Sequence, residues 1–192
     1  MPSGHVAPLR AVLAERPALW GLAVVLLGSW LIAASSWIST PMYPVPMTLQ
    51  TFAVLLVSGL AGARLSAAIV VTWLAQAALG LPFLADGAGG LKPFEGPTAG
   101  YLAGFVVAAF VCGWLTERPR LRGWLGMTGV FLFGHVLILG AGWLRLAAMI
   151  GISPAWGDGV SPFIAGAILK SLAAAICVKL AEPAVLRAAK AA

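Results

Sequence analysis

Charge is what this sequence has least of. Six Asp and Glu and twelve Lys and Arg make up 9% of its 192 residues, where a soluble domain carries about a quarter. A water-exposed globule of this length could not clothe its surface with so few polar groups, and a soluble fold is excluded. Cysteine is equally sparse. Cys112 and Cys177 each lie inside an apolar run with no partner at metal-ligand spacing, so they read as small core hydrophobes. Catalytic signatures are missing as well. No G-x-S-x-G, no H-E-x-x-H and no carboxylate pair falls within an apolar run. The stretch from Gly166 to Lys170-Ser171 resembles the end of a phosphate-binding loop, but it lacks the second glycine and sits in an apolar segment. ATP hydrolysis by a P-loop and intramembrane enzyme chemistry have no residues to stand on, and nothing calls for a cofactor or metal.

What is present is apolar: 61% of the chain. Residues 17–63 contain no charge but are interrupted by Pro41, Pro44 and Pro46, so they hold two helices joined by a proline-rich turn. Further uncharged runs cover residues 65–85, 96–116 and 123–144. A sixth, about 161–181, has Lys170 as its one interior charge. A spanning helix needs about 20 residues. The expectation is an all-α integral membrane protein of six transmembrane helices in a single domain over 1–192. A tail occupies about residues 1–17, the bundle about 18–182 and a second tail about 183–192. The first apolar run is long enough to span and reads as a retained helix rather than a removed leader.

Charge sidedness tests that count. With six spans, Arg10, Arg16, Arg64, Arg118, Arg120, Arg122, Lys179, Arg187 and Lys190 share the side of both termini. The opposite side receives Asp86, Lys92, Glu95, Arg145 and Asp158, a nearly neutral set. The positive-inside rule places both termini in the cytoplasm. The net charge of +6 is thus a topology signal in short clusters between apolar runs, not an aromatic–basic patch for nucleic acid. Lipid is the expected surroundings. Trp20, Trp37, Trp143 and Trp156 near helix ends read as interfacial anchors.

Several positions could carry binding. The outer connection from Gly80 to Tyr101 is too long and too rich in Gly and Pro for a simple turn, and long ordered loops are commonly functional. Lys170 lies about 12 Å below the outer end of its helix at the helical rise. A charge at the bilayer centre costs about 2.5–3.5 kcal/mol, so Lys170 either snorkels to the interface or faces a pocket where an anionic or carbonyl-bearing ligand satisfies it. Phe163, Gly166 and Ala167 share its face. Gln76, with Trp73, sits in the outer half of helix 3 and wants a partner. Arg145 reads as a headgroup anchor, and His135, alone in an apolar helix, as a satisfied core histidine. Small residues recur at helical spacing, Gly100, Gly104 and Ala108 for internal packing, and Ser29 and Ala33 on a first helix that could meet a partner.

The stretch Val45-Pro46-Met47-Thr48-Leu49-Gln50-Thr51, then Gly80-Leu81-Pro82-Phe83, Gly89-Gly90-Leu91 and Gly96-Pro97-Thr98-Ala99-Gly100-Tyr101, resembles the BioY family. So do Gly134-His135 and the run from Pro162-Phe163 to Leu169-Lys170. These are biotin-specific substrate-binding (S) components of energy-coupling-factor (ECF) transporters, and the resemblance covers about residues 20–182. It implies six helices around an outward pocket closed by the helix 1–2 loop, biotin as the transported ligand, and uptake across the cell membrane. Energy would come from a separate coupling subunit and two ATPase subunits, for which Ser29 and Ala33 would form a docking surface. Some family members are thought to act without these partners, which leaves solitary action, with a homo-oligomer, open. The implied biotin site comprises Lys170, Tyr101, Gln76, Gly89, Gly90, Phe83 and Gln50. One departure stands out. The family's aspartate three positions before the lysine is Ala167 here, which makes the ammonium depend on ligand, on Gln76, or on Asp86, Glu95 or Asp158. The alternatives are an S-type subunit for another vitamin or small carboxylate, and a membrane scaffold without a small ligand.

Overall fold

Prolines and glycines punctuate the apolar runs, and the elements begin and end where they fall. The computed structural model describes residues 7–13 and 18–190. Its elements in chain order are α1 (Pro8–Leu13), α2 (Ala18–Ser36), β1 (Ser39–Thr40), β2 (Met47–Thr48), α3 (Gln50–Ala78), α4 (Lys92–Glu95), α5 (Ala99–Thr116), α6 (Trp124–Ile150), α7 (Ile152–Gly159) and α8 (Ile164–Lys190). Among the described residues, five helical stretches are long and apolar enough to cross a membrane: Ala18–Ser36, Gln50–Ala78, Ala99–Thr116, Trp124–Ile150 and Ile152–Arg187. The expected second and third spans both fall within Gln50–Ala78.

That helix is broken at Gly62, whose φ of 75° and ψ of 179° lie outside the helical region. Only glycine enters this region without strain. The two arms turn back on each other. At one end, Leu49 donates its N–H to Ile38 O at 3.0 Å and Gly90 donates to Ala77 O at 2.8 Å, so both outer ends meet the same layer of loops. At the other, Gly62 abuts the Glu117 carboxylate. Both arms flank α5: Thr116 Oγ1 donates to Ser58 O at 3.3 Å from one, and Ser66 Oγ to Ala109 O at 2.9 Å from the other.

α5 is the central helix, packed on α3 and on α6. Gly100 and Gly104 let it approach the backbone of Ala141 and Ile138 on α6, and Ala108 of the same stripe is buried. Its other face meets α3, where Trp73 is fully buried against Phe105 with ring centroids 5.7 Å apart. Apolar side chains such as Leu19, Leu22, Leu125 and Leu180 point outward, as a lipid-facing surface requires.

Two elements extend into the expected tails. Within the expected N-terminal tail, Pro8–Leu13 forms α1, which packs on α3 and α8 with Ala7 buried beside it. Helix α8 carries Pro183 inside it and runs on to Lys190, through most of the expected C-terminal tail. Of the basic residues used to assign sidedness, Arg16 lies outside the described residues.

Between α2 and α3 the chain forms a two-stranded antiparallel hairpin, Ser39 opposite Thr48 and Thr40 opposite Met47. Pro41, Pro44 and Pro46 lack the N–H that would extend it, so it stays two residues long. The hairpin lies across the outer end of α8, with Met47 Sδ facing Gly166.

Candidate functional site

Under this hairpin and the Gly80–Tyr101 connection lies a cavity of about 420 Å³, within the range of small-molecule sites. The hairpin contributes Val45, Pro46 and Thr48, and α3 contributes Gln50 and Thr51. The loop supplies Leu84, Ala88, Gly89, Lys92 and Pro97. From the helices come Tyr101, Leu102 and Phe105 of α5, His135, Ile138 and Leu139 of α6, and Ala167 and Lys170 of α8. The walls are thus largely apolar. Among the described residues, the charged side chains that line the cavity are Lys92 and Lys170, and no carboxylate does so.

Lys170 turns inward. Its Nζ donates to the main-chain oxygen of Thr48 at 2.6 Å, joining α8 to the end of the hairpin. None of the carboxylates named as its partners, Asp86, Glu95 and Asp158, lines the cavity with it. Asp86 accepts from Ser39 Oγ at 3.0 Å, and Arg145 donates to the backbone oxygen of Glu95. The latter bond makes Arg145 a tie between α6 and the outer loop.

Tyr101 lines the cavity with one face, and its hydroxyl donates to Gly159 O at 2.7 Å. A Cβ at Gly142 would collide with the Tyr101 ring, so that glycine sets the ring's position. Phe163 leans on the same ring at a centroid distance of 6.3 Å. Gln50 lines the cavity from the start of α3. Its own N–H donates to Thr48 Oγ1 at 3.3 Å, and that hydroxyl donates back to Gln50 Oε1 at 2.9 Å. This fixes the amide's orientation and leaves Nε2 buried without a partner.

Of the seven residues expected at the site, the structure therefore brings Lys170, Tyr101, Gln50 and Gly89 to one cavity. Of the other three, Phe83 and Gly90 hold the loop rather than line the cavity, and Gln76 ties α3 to α2. Phe83 O accepts from Trp73 Nε1 and from Ser36 Oγ, each at 2.9 Å. Gly90 N–H is the tie to Ala77 O already described. Gln76 bonds Ser29 Oγ at 3.0 Å and is no partner of Lys170. The same bond corrects the expectation for Ser29 and Ala33. Both are buried against α3, Ser29 at 0% and Ala33 at 4% exposure, so this stripe packs inside the chain and is not free to dock a partner.

Residue-by-residue reading missed His135. Its Nδ1 is satisfied, 2.9 Å from Ser171 Oγ and 3.2 Å from Phe131 O, as a core histidine's would be. Yet the ring lines the cavity and Nε2 is buried without a partner. Its helical neighbours at i+3 and i+4, Ile138 and Leu139, line the cavity too, and that stripe was the available signal. Thr51 Oγ1 is a further buried, unpartnered polar atom on the wall. Taken together, the arrangement can enclose a small molecule with an apolar body and hydrogen-bonding ends.

Comparison with known proteins agrees with this geometry. The model of the BioY family matches residues 11–187. The chain is 37% identical over 146 residues to the biotin transporter BioY of Thermotoga maritima, covering 76% of this chain and 86% of that protein. It is 36% identical over 148 residues to the biotin transporter BioY of Rhizobium etli, covering 72% and 79%. Among solved structures, the S-component for biotin from an ECF-type ABC transporter superposes with a TM-score of 0.78 at 25% identity, covering 86% of this chain and 92% of that one.

Proposed function

The chain belongs to the BioY family, and on that premise we propose that it binds biotin in the cavity under the hairpin and mediates biotin uptake across the plasma membrane as a multi-pass subunit. The observation that carries this reading is the inward-turned Lys170 at a largely apolar, loop-covered cavity. Such a chamber suits a ligand with a bicyclic apolar body, a polar ureido group and a carboxylate. Lys170, Tyr101, Gln50 and Gly89 make the contacts. Gly90 and Phe83 hold the covering loop, which with the hairpin opens to admit ligand. Lys170 joins the hairpin to α8, so the same ammonium that meets the ligand also latches the cover.

The membrane reading has six spans and cytoplasmic termini. The reversal at Gly62 supports it, dividing Gln50–Ala78 into two arms on either side of the break. At about 1.5 Å per residue, these arms are short for a hydrocarbon core of about 30 Å. The loop layer at their outer ends makes up the difference. The clustered basic residues support the same orientation. The likeness to the S-component of an ECF-type ABC transporter supports transport driven by a separate coupling subunit and two ATPase subunits. Reporter fusions at both termini should be active on the cytoplasmic side, and an external C-terminus would overturn the topology.

The binding test is a calorimetric titration of purified protein with biotin. Saturable binding that weakens at least tenfold in Lys170→Ala is expected, and an affinity unchanged by that substitution would overturn the site. A second reading, an S-type subunit for another vitamin or small carboxylate, is favoured by one observation: Ala167 leaves the cavity without a carboxylate acceptor. Saturable binding of thiamin or riboflavin without binding of biotin would establish it.

A further inference from the structure

The hydrogen-bond arrangement around Lys170 reveals a second set of binding groups. His135, Ser171, Lys170, Thr48 and Gln50 form one connected cluster at the cavity wall. His135 Nδ1 meets Ser171 Oγ, the next residue is Lys170, its Nζ meets Thr48 O, and Thr48 Oγ1 meets Gln50 Oε1. Two polar atoms of this cluster are buried and unpartnered, His135 Nε2 and Gln50 Nε2. Their residues are 3% and 5% exposed and both line the cavity. A buried polar group without a partner is costly, so such a pair inside a ligand-sized cavity points to a ligand atom that completes it.

The donor sense of both atoms can be read from their neighbours. Gln50 Nε2 is the amide nitrogen, because Thr48 Oγ1 holds Oε1. For His135 the deciding group is Ser171. Its hydroxyl is buried, and among the described residues its hydrogen-bond partner is the His135 ring. If Nδ1 carried the proton of a neutral ring, the Ser171 proton would have no acceptor, and Nε2 would be stranded too. If Ser171 donates to Nδ1, one group alone remains open, Nε2–H, a donor. A doubly protonated ring also presents Nε2–H. With Ser171 donating to Nδ1, the 3.2 Å contact of Nδ1 with Phe131 O is not a hydrogen bond, since a carbonyl oxygen only accepts; that oxygen lies one helical turn back and accepts in the α6 ladder.

We infer that His135 and Gln50 are specificity-determining residues which, with Lys170, present donors alone to the ligand and so read an acceptor oxygen. Ala167 and the absence of any lining carboxylate remove the competing acceptor that would have bound these donors within the protein. This inference rests on the biotin reading. Biotin offers two such oxygens, the ureido carbonyl and the carboxylate, and the test separates them.

The test uses the purified full chain, with His135→Asn and His135→Gln. Asparagine places its amide near Nδ1 and keeps the bond to Ser171, whereas glutamine reaches the Nε2 position. Affinities for biotin, for 2-iminobiotin (an imine N–H in place of the ureido oxygen) and for biotin amide (a neutral carboxamide) are measured by calorimetry, with ligand-free thermal unfolding alongside. His135→Asn is expected to bind biotin about 10–100-fold more weakly with unchanged unfolding, and His135→Gln to stay within about threefold of the wild type. A wild-type preference for biotin over 2-iminobiotin that disappears in His135→Asn assigns the donors to the ureido oxygen. A preference over biotin amide that disappears there assigns them to the carboxylate. Both variants binding like the wild type would overturn the inference, as would equal weakening in both, which a packing role predicts. A preference that persists unchanged for both analogues would overturn it as well. Failure of wild-type protein to bind biotin would instead remove the underlying reading, and the variant-to-wild-type ratio is what judges this inference alone.

Discussion

Replacing Gly142 by alanine tests whether the position of Tyr101 shapes the cavity. A Cβ at this position overlaps three ring carbons of Tyr101 at separations no real contact sustains. Helix α6 cannot retreat easily, because a few residues back its Ala141 and Ile138 backbone is already in close contact with Gly100 and Gly104 of α5. The ring must therefore move, and it moves toward the open side, the cavity. That shift breaks the 2.7 Å bond from the hydroxyl to Gly159 O. Overpacking costs about 1–3 kcal/mol and the lost hydrogen bond about 1 kcal/mol. The gain from replacing a mid-helix glycine with alanine is about 1 kcal/mol. The clash wins, and Gly142→Ala should be destabilised by about 1–3 kcal/mol. Its biotin affinity should fall about tenfold or more, because the ring intrudes on ligand space. Thermal unfolding in detergent and calorimetric titration measure the two effects. Tyr101→Phe, which keeps the ring and removes the hydroxyl, should lose only about 1 kcal/mol. Combining Gly142→Ala with Tyr101→Ala removes the clash, so the pair should be non-additive by more than about 0.5 kcal/mol. Additivity, or an unaltered Gly142→Ala protein, would refute the assignment of Gly142 as the residue that seats Tyr101.

Three further outcomes follow from specific contacts. Gly62→Ala forces a side chain into a φ of 75° against Glu117 and should destabilise by about 2–4 kcal/mol, read as lower thermal stability and a poorer folded yield in detergent. Arg122→Ala removes a 2.6 Å ion pair with Glu182 and a 3.0 Å bond to Thr116 O. Since Lys179 remains 3.5 Å from Glu182, the loss in unfolding free energy should be about 1–3 kcal/mol, and Arg122→Ala/Glu182→Ala should lose less than the two single changes summed. Ala167→Asp adds an acceptor beside Lys170 that competes with the ligand for its ammonium and should weaken biotin binding by up to about tenfold; an affinity tightened by the carboxylate would show that ligand N–H donors, not an acceptor oxygen, face this wall.

The parts of this protein legible in its sequence are those set by each segment's own transfer free energy. Residence in lipid and the apolar helices follow from local hydropathy, whatever the neighbours. The proline-rich connection at Pro41–Pro46 and the outer Gly/Pro loop were legible for the same reason, since backbone restriction is local. Lys170 stood out because a charge inside an apolar run is costly in any fold.

The partners were not legible, because hydrogen-bond satisfaction is a pairwise property of residues far apart in the chain. Gln76 and Gln50 are the same residue type in apolar helices, yet Ser29 engages Gln76 across 47 positions while Gln50 keeps a free amide nitrogen. Lys170 finds its acceptor 122 residues away, on a backbone carbonyl that no side-chain pattern could announce. Ser29 and Ala33 could equally have faced a partner or a neighbouring helix, and only the packing of α2 on α3 turned them inward. His135 read as an ordinary buried histidine until the cavity showed one ring nitrogen satisfied and the other open. Local hydropathy and charge specify a membrane bundle with a lysine to be satisfied. The tertiary structure decided which polar atoms spend their hydrogen bonds on each other and which remain for a ligand.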